Sequence, residues 1–485
     1  MTSRSEPASV VVKNSFWMVA QPLALSLISL FVVGYTARLL GEDQYGRFVL
    51  GFTFVAMIAP FANLGLRAIT VREVAKRQDE SGRFVDMVYS ARLILSLLSV
   101  LGAIVSVSLT NYPLDTRLVV SLASLTIVLQ AVSTTFYDVF QAHEQMQEVA
   151  FAQGMTGLAV TALTVAALFA GFRLLGVTVA YVIGNAAGLA VAWARFTRQY
   201  RRPRLLIDGP GFASAIVRGA PFFVPGLVAI VGSRVGIVIL SAVSGDAAVG
   251  HYGAANALVE RLGVVPDGIC TAFYPTMIAL YHRSADEGGR LFKRFFLYMV
   301  LLGLPIGVGT TVLARPIITL VYGLAYLDSV AVLQILIWSL FVTFLTSLQS
   351  WTLGAIHREK LAGVVAIAST LVNVALSAVL IPLYAERGAA MASLVSAACA
   401  YVALWLAIKR HLVAEVTNLR RLGKAVTATA IMGVVSYLLR DMNIAVVLAA
   451  SVATYAATLW AIKAVTTEEV QLIRGLLFSR AARGI

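Results

Sequence analysis

Apolar residues run along this chain in long unbroken blocks separated by short polar connections. Neither the alternation of a half-buried strand nor the single stripe of a soluble amphipathic helix dominates. Fourteen blocks reach the roughly 20 residues a helix needs to cross about 30 Å of hydrocarbon. They lie at 14–40, 45–67, 85–109, 117–141, 148–171, 174–197, 213–241, 247–280, 292–314, 329–354, 361–383, 387–409, 420–440 and 443–464, and are numbered spans 1 to 14. The pattern predicts an all-α polytopic membrane protein whose termini share one side. Span 1 is too long for a signal-peptide core and has no small-residue cleavage site, so no secretory leader is expected. Span 8 interrupts its apolar run with NALVERLGVVPDGIC at 256–270. There Asn256, Glu260, Gly263 and Asp267 recur at helical spacing and share a face, with Arg261 at its border. Pro266 predicts a kink. The stripe reads as one wall of a polar cavity.

Composition agrees with the blocks. The chain is 59% hydrophobic and 13% charged, against about 45–50% and about 25% in soluble domains. A net charge of +14 could suggest nucleic acid, but its distribution gives another answer. By count, 26 of the 38 Lys and Arg residues fall at the termini or after even-numbered spans, including Arg72, Lys76, Arg77, Arg201, Arg202, Lys409 and Arg410. The positive-inside rule therefore places both termini in the cytoplasm. Topology and attraction to anionic lipid account for the basic excess, and no nucleic-acid partner is expected. Cys270 and Cys399 lie in apolar runs and are expected to be packed, reduced thiols. The five histidines have no ligand spacing, so neither a metal nor a cofactor is expected.

The chain also looks duplicated. LLGEDQYGRF (39–48) follows span 1 and VSGDAAVGHY (243–252) follows span 7, aligning Gly41 with Gly245, Glu42 with Asp246, Gly46 with Gly250, and Phe48 with Tyr252. A basic segment with proline and glycine follows span 6. The expected organisation is an amino-terminal lobe at 1–197, a cytoplasmic linker at 198–212 and a second lobe at 213–412. Spans 13 and 14 and a cytoplasmic tail then occupy 413–485. Two parallel six-helix lobes around a central cavity are a known transporter plan. No nucleotide-binding, kinase or hydrolase signature is present, nor a large loop carrying acid–base carboxylates, so an enzyme is not expected.

Charges inside spans are the candidate chemistry, because burying one unpaired costs roughly 2.5–3.5 kcal/mol or more. Arg234 and Arg261 lie too deep to reach headgroups easily, whereas Arg67, Arg92 and Arg218 are near enough to snorkel. Arg38 lies near the outer end of span 1. A guanidinium fork meets two anionic oxygens at once and stays charged in a dry site. Asn63, Gln130, Tyr137, Gln153, Asn185, Asn256, Gln349 and Asn373 could face inward and hydrogen-bond a polar cargo or bond helix to helix. Glu260 and Asp267 could balance charge or carry a coupling proton; for Glu260, pairing with an arginine is the structural alternative.

NSFWMVAQPLALSLISLFVVGYTARLLGEDQYGRF with FANLGLRAITVREVAKR resembles the amino-terminal signature of the polysaccharide transporters. These are the Wzx-type oligosaccharide flippases of the multidrug/oligosaccharidyl-lipid/polysaccharide superfamily. VGHYGAANALVERLGVVPDGICTAFYPTMIALYHR and the pattern Asn373, Pro382, Gly388, Ala389, Ala390 extend the resemblance over nearly the whole chain. It implies a multi-pass protein of a bacterial or archaeal cytoplasmic membrane, flipping a polyprenyl-diphosphate-linked glycan by alternating access for surface polysaccharide synthesis. It raises Arg38, Arg67 and Arg261 as cavity arginines. With Arg234, Asn256 and Asn373 these form the expected substrate-binding set. The implied partners are that substrate and membrane lipids, with glycosyltransferases and a polysaccharide polymerase of the same pathway. The alternative is a cation-coupled multidrug or small-molecule exporter of the same superfamily. Such a pump would want a buried carboxylate in span 1, which has no acid between Asn14 and Leu40.

Overall fold

Long apolar blocks fold here as long helices, with glycine at most of the sharp corners. The computed structural model describes residues 7–76, 82–409 and 419–462, with side chains from Phe31 onward. Arg77, Arg410 and the tail beyond 462 lie outside the described residues. Thirteen helices follow in order: α1 Pro7–Ile58, α2 Leu66–Lys76, α3 Gly82–Ser108, α4 Leu114–Ala142, α5 Met146–Phe169, α6 Leu174–Gln199, α7 Gly209–Leu262, α8 Val264–Arg283, α9 Ala285–Val321, α10 Ser329–Ala355, α11 Glu359–Lys409, α12 Leu419–Leu438 and α13 Ile444–Ala461. No strand occurs among the described residues.

Ten of these helical runs are long and apolar enough to cross a membrane. Three of them are double. α1 breaks at Gly41 (φ 75°), α7 at Gly245 (φ 84°) and α11 at Ala385 (φ 49°). Left-handed backbone strains a side chain but not glycine, which explains the first two corners. The basic residues Arg420, Arg421 and Lys424 keep α12 out of the apolar set. Counting the halves and α12 recovers the fourteen expected segments, and the chain is a multi-pass membrane protein.

Two boundaries differ from expectation. Span 2 does not run unbroken to 67. A short 3₁₀ turn at Ala59–Ala62 carries Pro60, and Leu64 and Gly65 both have positive φ, so Arg67 sits in the first turn of a separate helix, α2. Span 8 is interrupted at Gly263, between α7 and α8, and Pro266 falls in the first turn of α8. There its missing N–H costs no hydrogen bond, so it starts a helix instead of bending one.

The chain forms two compact units. One comprises Met1–Arg261, Val321–Ser329 and Ala366–Ser396; the other comprises Leu262–Leu320, Val330–Val365 and Ala397–Ile485. In the first, Val74, Phe136, Phe140 and Phe196 form a buried core joining α2, α4 and α6. The connection after α6 is docked, not loose. Asp86 of α3 accepts from the Arg201 guanidinium and the Arg204 amide, and Ser90 accepts from the Leu206 amide. In the second unit, Phe292 and Phe296 pack on Trp405. Buried hydroxyls add polar ties of the kind that join helices in lipid: Tyr455 to the Leu301 carbonyl at 2.7 Å, and Ser436 to Ser451 at 2.7 Å. Cys270 is buried there as expected, but Cys399 is exposed. It shares a helical face with the exposed Val402 and Leu406, an apolar surface suited to lipid.

Candidate functional site

Three arrangements in the first unit carry charge into or beside the membrane-spanning region. One joins the two duplicated corners. A Cβ at Gly46 would overlap the carbonyl oxygen of Asp246, and a Cβ at Gly250 would overlap that of Glu42. The backbones therefore touch reciprocally, and only glycine permits it. Side chains repeat the exchange. Arg47 Nε donates to Asp246 Oδ2 at 2.9 Å, and His251 Nε2 lies 2.9 Å from Glu42 Oε2. Each corner thus supplies an acid to the other's basic residue. Arg47 also reaches Asp115 at 3.2 Å. Tyr326 packs edge-on to His251 and donates its hydroxyl to the Ala37 carbonyl at 2.9 Å. Burial, with Glu42 adding, pushes that phenol above its ordinary range and keeps it a neutral donor.

A second arrangement lies on α7. Glu260 Oε1 pairs with Arg234 Nη2 at 3.1 Å and accepts from Asn256 Nδ2 at 2.8 Å. Three predicted site residues are therefore in direct contact, and the arginine beside Glu260 is Arg234. Arg261 instead donates to the Ala257 carbonyl one turn back. It lies within electrostatic range of the phenols of Tyr45, Tyr181 and Tyr322. Arg38, exposed at the end of the first half of α1, donates to the Val321 carbonyl at 3.0 Å. Asn373 is buried on α11 and donates to Ser396 Oγ at 3.0 Å, a helix-to-helix bond. Asp267, exposed in the first turn of α8, belongs to the second unit.

The third arrangement centres on Asp138, an acid that reading the sequence missed. Its Oδ2 accepts from Arg92 Nη2 at 2.6 Å, and its Oδ1 lies 3.5 Å from Arg67 Nε. Arg92 is fully buried and also donates to Thr135. Expected to snorkel, it faces inward because Asp138 of the antiparallel neighbour α4 meets it there. Arg218 likewise has a partner, Glu73 at 2.9 Å, with its side chain 46% exposed. Beside it, a Cβ at Gly65 would overlap the Gly219 carbonyl, and Phe61 packs on Phe223. A signal for Asp138 did exist: it is a carboxylate inside an apolar span whose predecessor holds Arg92 near the same end.

Arg67 differs from Arg92 in being 67% exposed at its side chain. It lines two cavities. One, of about 280 Å³, is walled by Gln130, Ser133, Thr134, Tyr137 and Asp138 of α4, Gln153 and Thr156 of α5, and Asn185 of α6. Every lining residue is polar. The other, of about 510 Å³ and more open, is lined by Gly65, Ala68, Val71, Arg72, Gln141 and Phe222 besides Arg67. The structure thus gathers four of the predicted inward-facing polar residues, Gln130, Tyr137, Gln153 and Asn185, into one place. Among the described residues no cluster of His, Cys, Asp or Glu could hold a metal ion.

Known proteins resemble this chain in both sequence and fold. The family described as polysaccharide biosynthesis protein matches residues 11–281. A protein of Shigella flexneri named "Putative O-antigen transporter" is 21% identical over 398 residues, covering 79% of this chain and 93% of that one. The structure of the lipid II flippase MurJ in an inward closed conformation superposes with a TM-score of 0.73 at 15% identity, covering 97% of this chain and all of that one. A multidrug resistance MATE family transporter of the MOP superfamily, inward-facing, gives 0.60 at 16% identity over 82% of this chain and 98% of that one.

Proposed function

We propose that this chain, which belongs to the polysaccharide biosynthesis protein family, is a flippase that carries a polyprenyl-diphosphate-linked oligosaccharide across the cytoplasmic membrane by alternating access. It acts as a transporter and not as an enzyme. Accessible guanidinium groups at or within membrane spans carry the reading. The Arg67 side chain is 67% exposed and that of Arg234 29%, each with a carboxylate beside it. Such groups replace hydration that an anionic headgroup loses on leaving water, and the planar fork suits a diphosphate. Arg38, Arg67, Arg234 and Arg261 are assigned to the headgroup, with Asn256 and Glu260 orienting Arg234. Asn373 and Asp267 are assigned to the same pathway on sequence grounds.

Spans 1–6 and 7–12 form the two moving lobes in this reading, with both termini in the cytoplasm. The duplicated corners support it. The first half of α7 touches the α1–α2 region near both of its ends, at Arg218–Phe223 and just beyond Gly245 at Asp246–His251. Opening either face breaks one contact and keeps the other. A headgroup of about two negative charges moving outward gains roughly 2.3 kcal/mol per charge per 100 mV of inside-negative potential, so ATP is not required. Glycosyltransferases and a polymerase of the same pathway supply and consume the lipid.

The test is flipping per molecule of inserted protein. Arg67→Ala and Arg234→Ala should each reduce export of lipid-linked glycan at least tenfold, with glycan accumulating on the inner leaflet. Lysine should rescue only part, because it keeps charge but loses the fork. Wild-type export by both alanine variants would overturn the assignment.

A further inference from the structure

The 280 Å³ cavity is unusual for its surroundings. The chain is 59% hydrophobic, yet all nine residues lining this hole within the helices are polar. Most of its hydroxyl protons are already committed. Ser133 donates to the Leu129 carbonyl, Thr134 to Gln130 and Thr156 to Ala152. Their oxygens therefore act mainly as acceptors, and those of Ser133 and Thr156 meet the Tyr137 phenol. Asp138 Oδ1 is buried and accepts no hydrogen bond among the described residues. Its neighbour is Arg67 Nε at 3.5 Å, and the two residues stand together in the cavity wall. The wall thus holds acceptors beside the Gln153 amide and Tyr137, while the Gln130 amide donates to Asn185 Oδ1 at 3.3 Å and Asn185 Nδ2 to the Tyr181 carbonyl at 2.8 Å.

We infer that this cavity is a monosaccharide subsite, which takes the sugar ring next to the diphosphate; the inference rests on the flippase reading above. A sugar's hydroxyls both donate and accept, which matches a wall of hydroxyls, amides and a carboxylate. The volume lies just below the ~300–1,000 Å³ of pockets for drug-sized ligands, so it holds one ring and not an oligosaccharide. Arg67 sets the orientation. It lines both this cavity and the open one beside it, where Arg72 adds a second cation. A diphosphate on Arg67 and Arg72 places its first sugar at the cavity mouth. A bare cation fits less well, because Arg92 already neutralises Asp138 and the space far exceeds one ion.

Native mass spectrometry of the purified full-length protein tests this, since it reads binding to folded molecules alone. The probes are polyprenyl diphosphate without sugar and the same lipid bearing one glucose, galactose or N-acetylglucosamine. The wild type should prefer at least one glycosylated probe tenfold over the bare lipid. Gln153→Leu, and the near-isosteric Thr134→Val, should each cut that preference below threefold while holding affinity for the bare lipid within twofold. Equal binding of bare and glycosylated lipid by the wild type would overturn the subsite and leave the flippase reading intact. No binding of either lipid would overturn both. Sodium-dependent stabilisation that Asp138→Asn removes, without any sugar preference, would assign the cavity to a cation instead.

Discussion

Replacing Arg92 with methionine should destabilise the protein far more than replacing both members of its ion pair. The guanidinium is fully buried, and Asp138 is 1% exposed at its side chain with the two groups 2.6 Å apart. Neither charge is screened by water. Removing the cation leaves a carboxylate without its main partner, and breaking a buried pair from one side costs about 3–5 kcal/mol. Arg67 offsets little of this, being 3.5 Å from the other oxygen and 67% exposed. Arg92→Met/Asp138→Leu removes the uncompensated charge and fills similar space, so its cost should lie near zero. The readout is the thermal midpoint in detergent from intrinsic fluorescence, scanned at one fixed rate because such unfolding is commonly irreversible. The single variant should fall by on the order of 5 °C or more, and the double variant should stay within about 2 °C. A single variant that melts with the wild type, or a double that falls as far as the single, would refute the argument.

Gly46→Val and Gly250→Val should each abolish flipping or insertion, because any side chain meets backbone at the opposed corner; Gly102→Val, where nothing lies within 4 Å, should keep both within twofold. Arg47→Asp should weaken export severalfold, since it sets a third carboxylate beside Asp246 and Asp115, and Arg47→Asp/Asp246→Arg should restore part of it. An uncorrected double variant in that export assay would remove the pair from the corner contact. Single cysteines at Arg202 and Arg173, both exposed and lacking the partners that hold Arg201 and Asp115, should be labelled by an impermeant thiol reagent from opposite sides. Arg202→Cys should react only in inverted vesicles and Arg173→Cys only in spheroplasts; labelling from one side would defeat the topology.

The sequence by itself determined the solvent, the number of spans and the glycine corners. Those are local properties: about 20 apolar residues in a row cross a bilayer wherever they occur, and Gly41 and Gly245 announce left-handed turns through their setting. It also marked which residues are polar enough to matter. It could not say which of them meet. Depth along one helix is legible, whereas rotation about its axis depends on packing against neighbours. A guanidinium faces inward or outward according to whether a carboxylate awaits it. Arg92 was expected at the headgroups and lies buried because Asp138, 46 positions away, stands opposite. Glu260 could have paired with the adjacent Arg261 and instead meets Arg234, because neighbouring side chains on a helix point about 100° apart while α7 brings the more distant one alongside. Arg47 and Asp246 are separated by 199 positions, and the all-polar cavity draws on four helices. Contacts of that range exist only once the helices have packed, so the tertiary structure alone decided them.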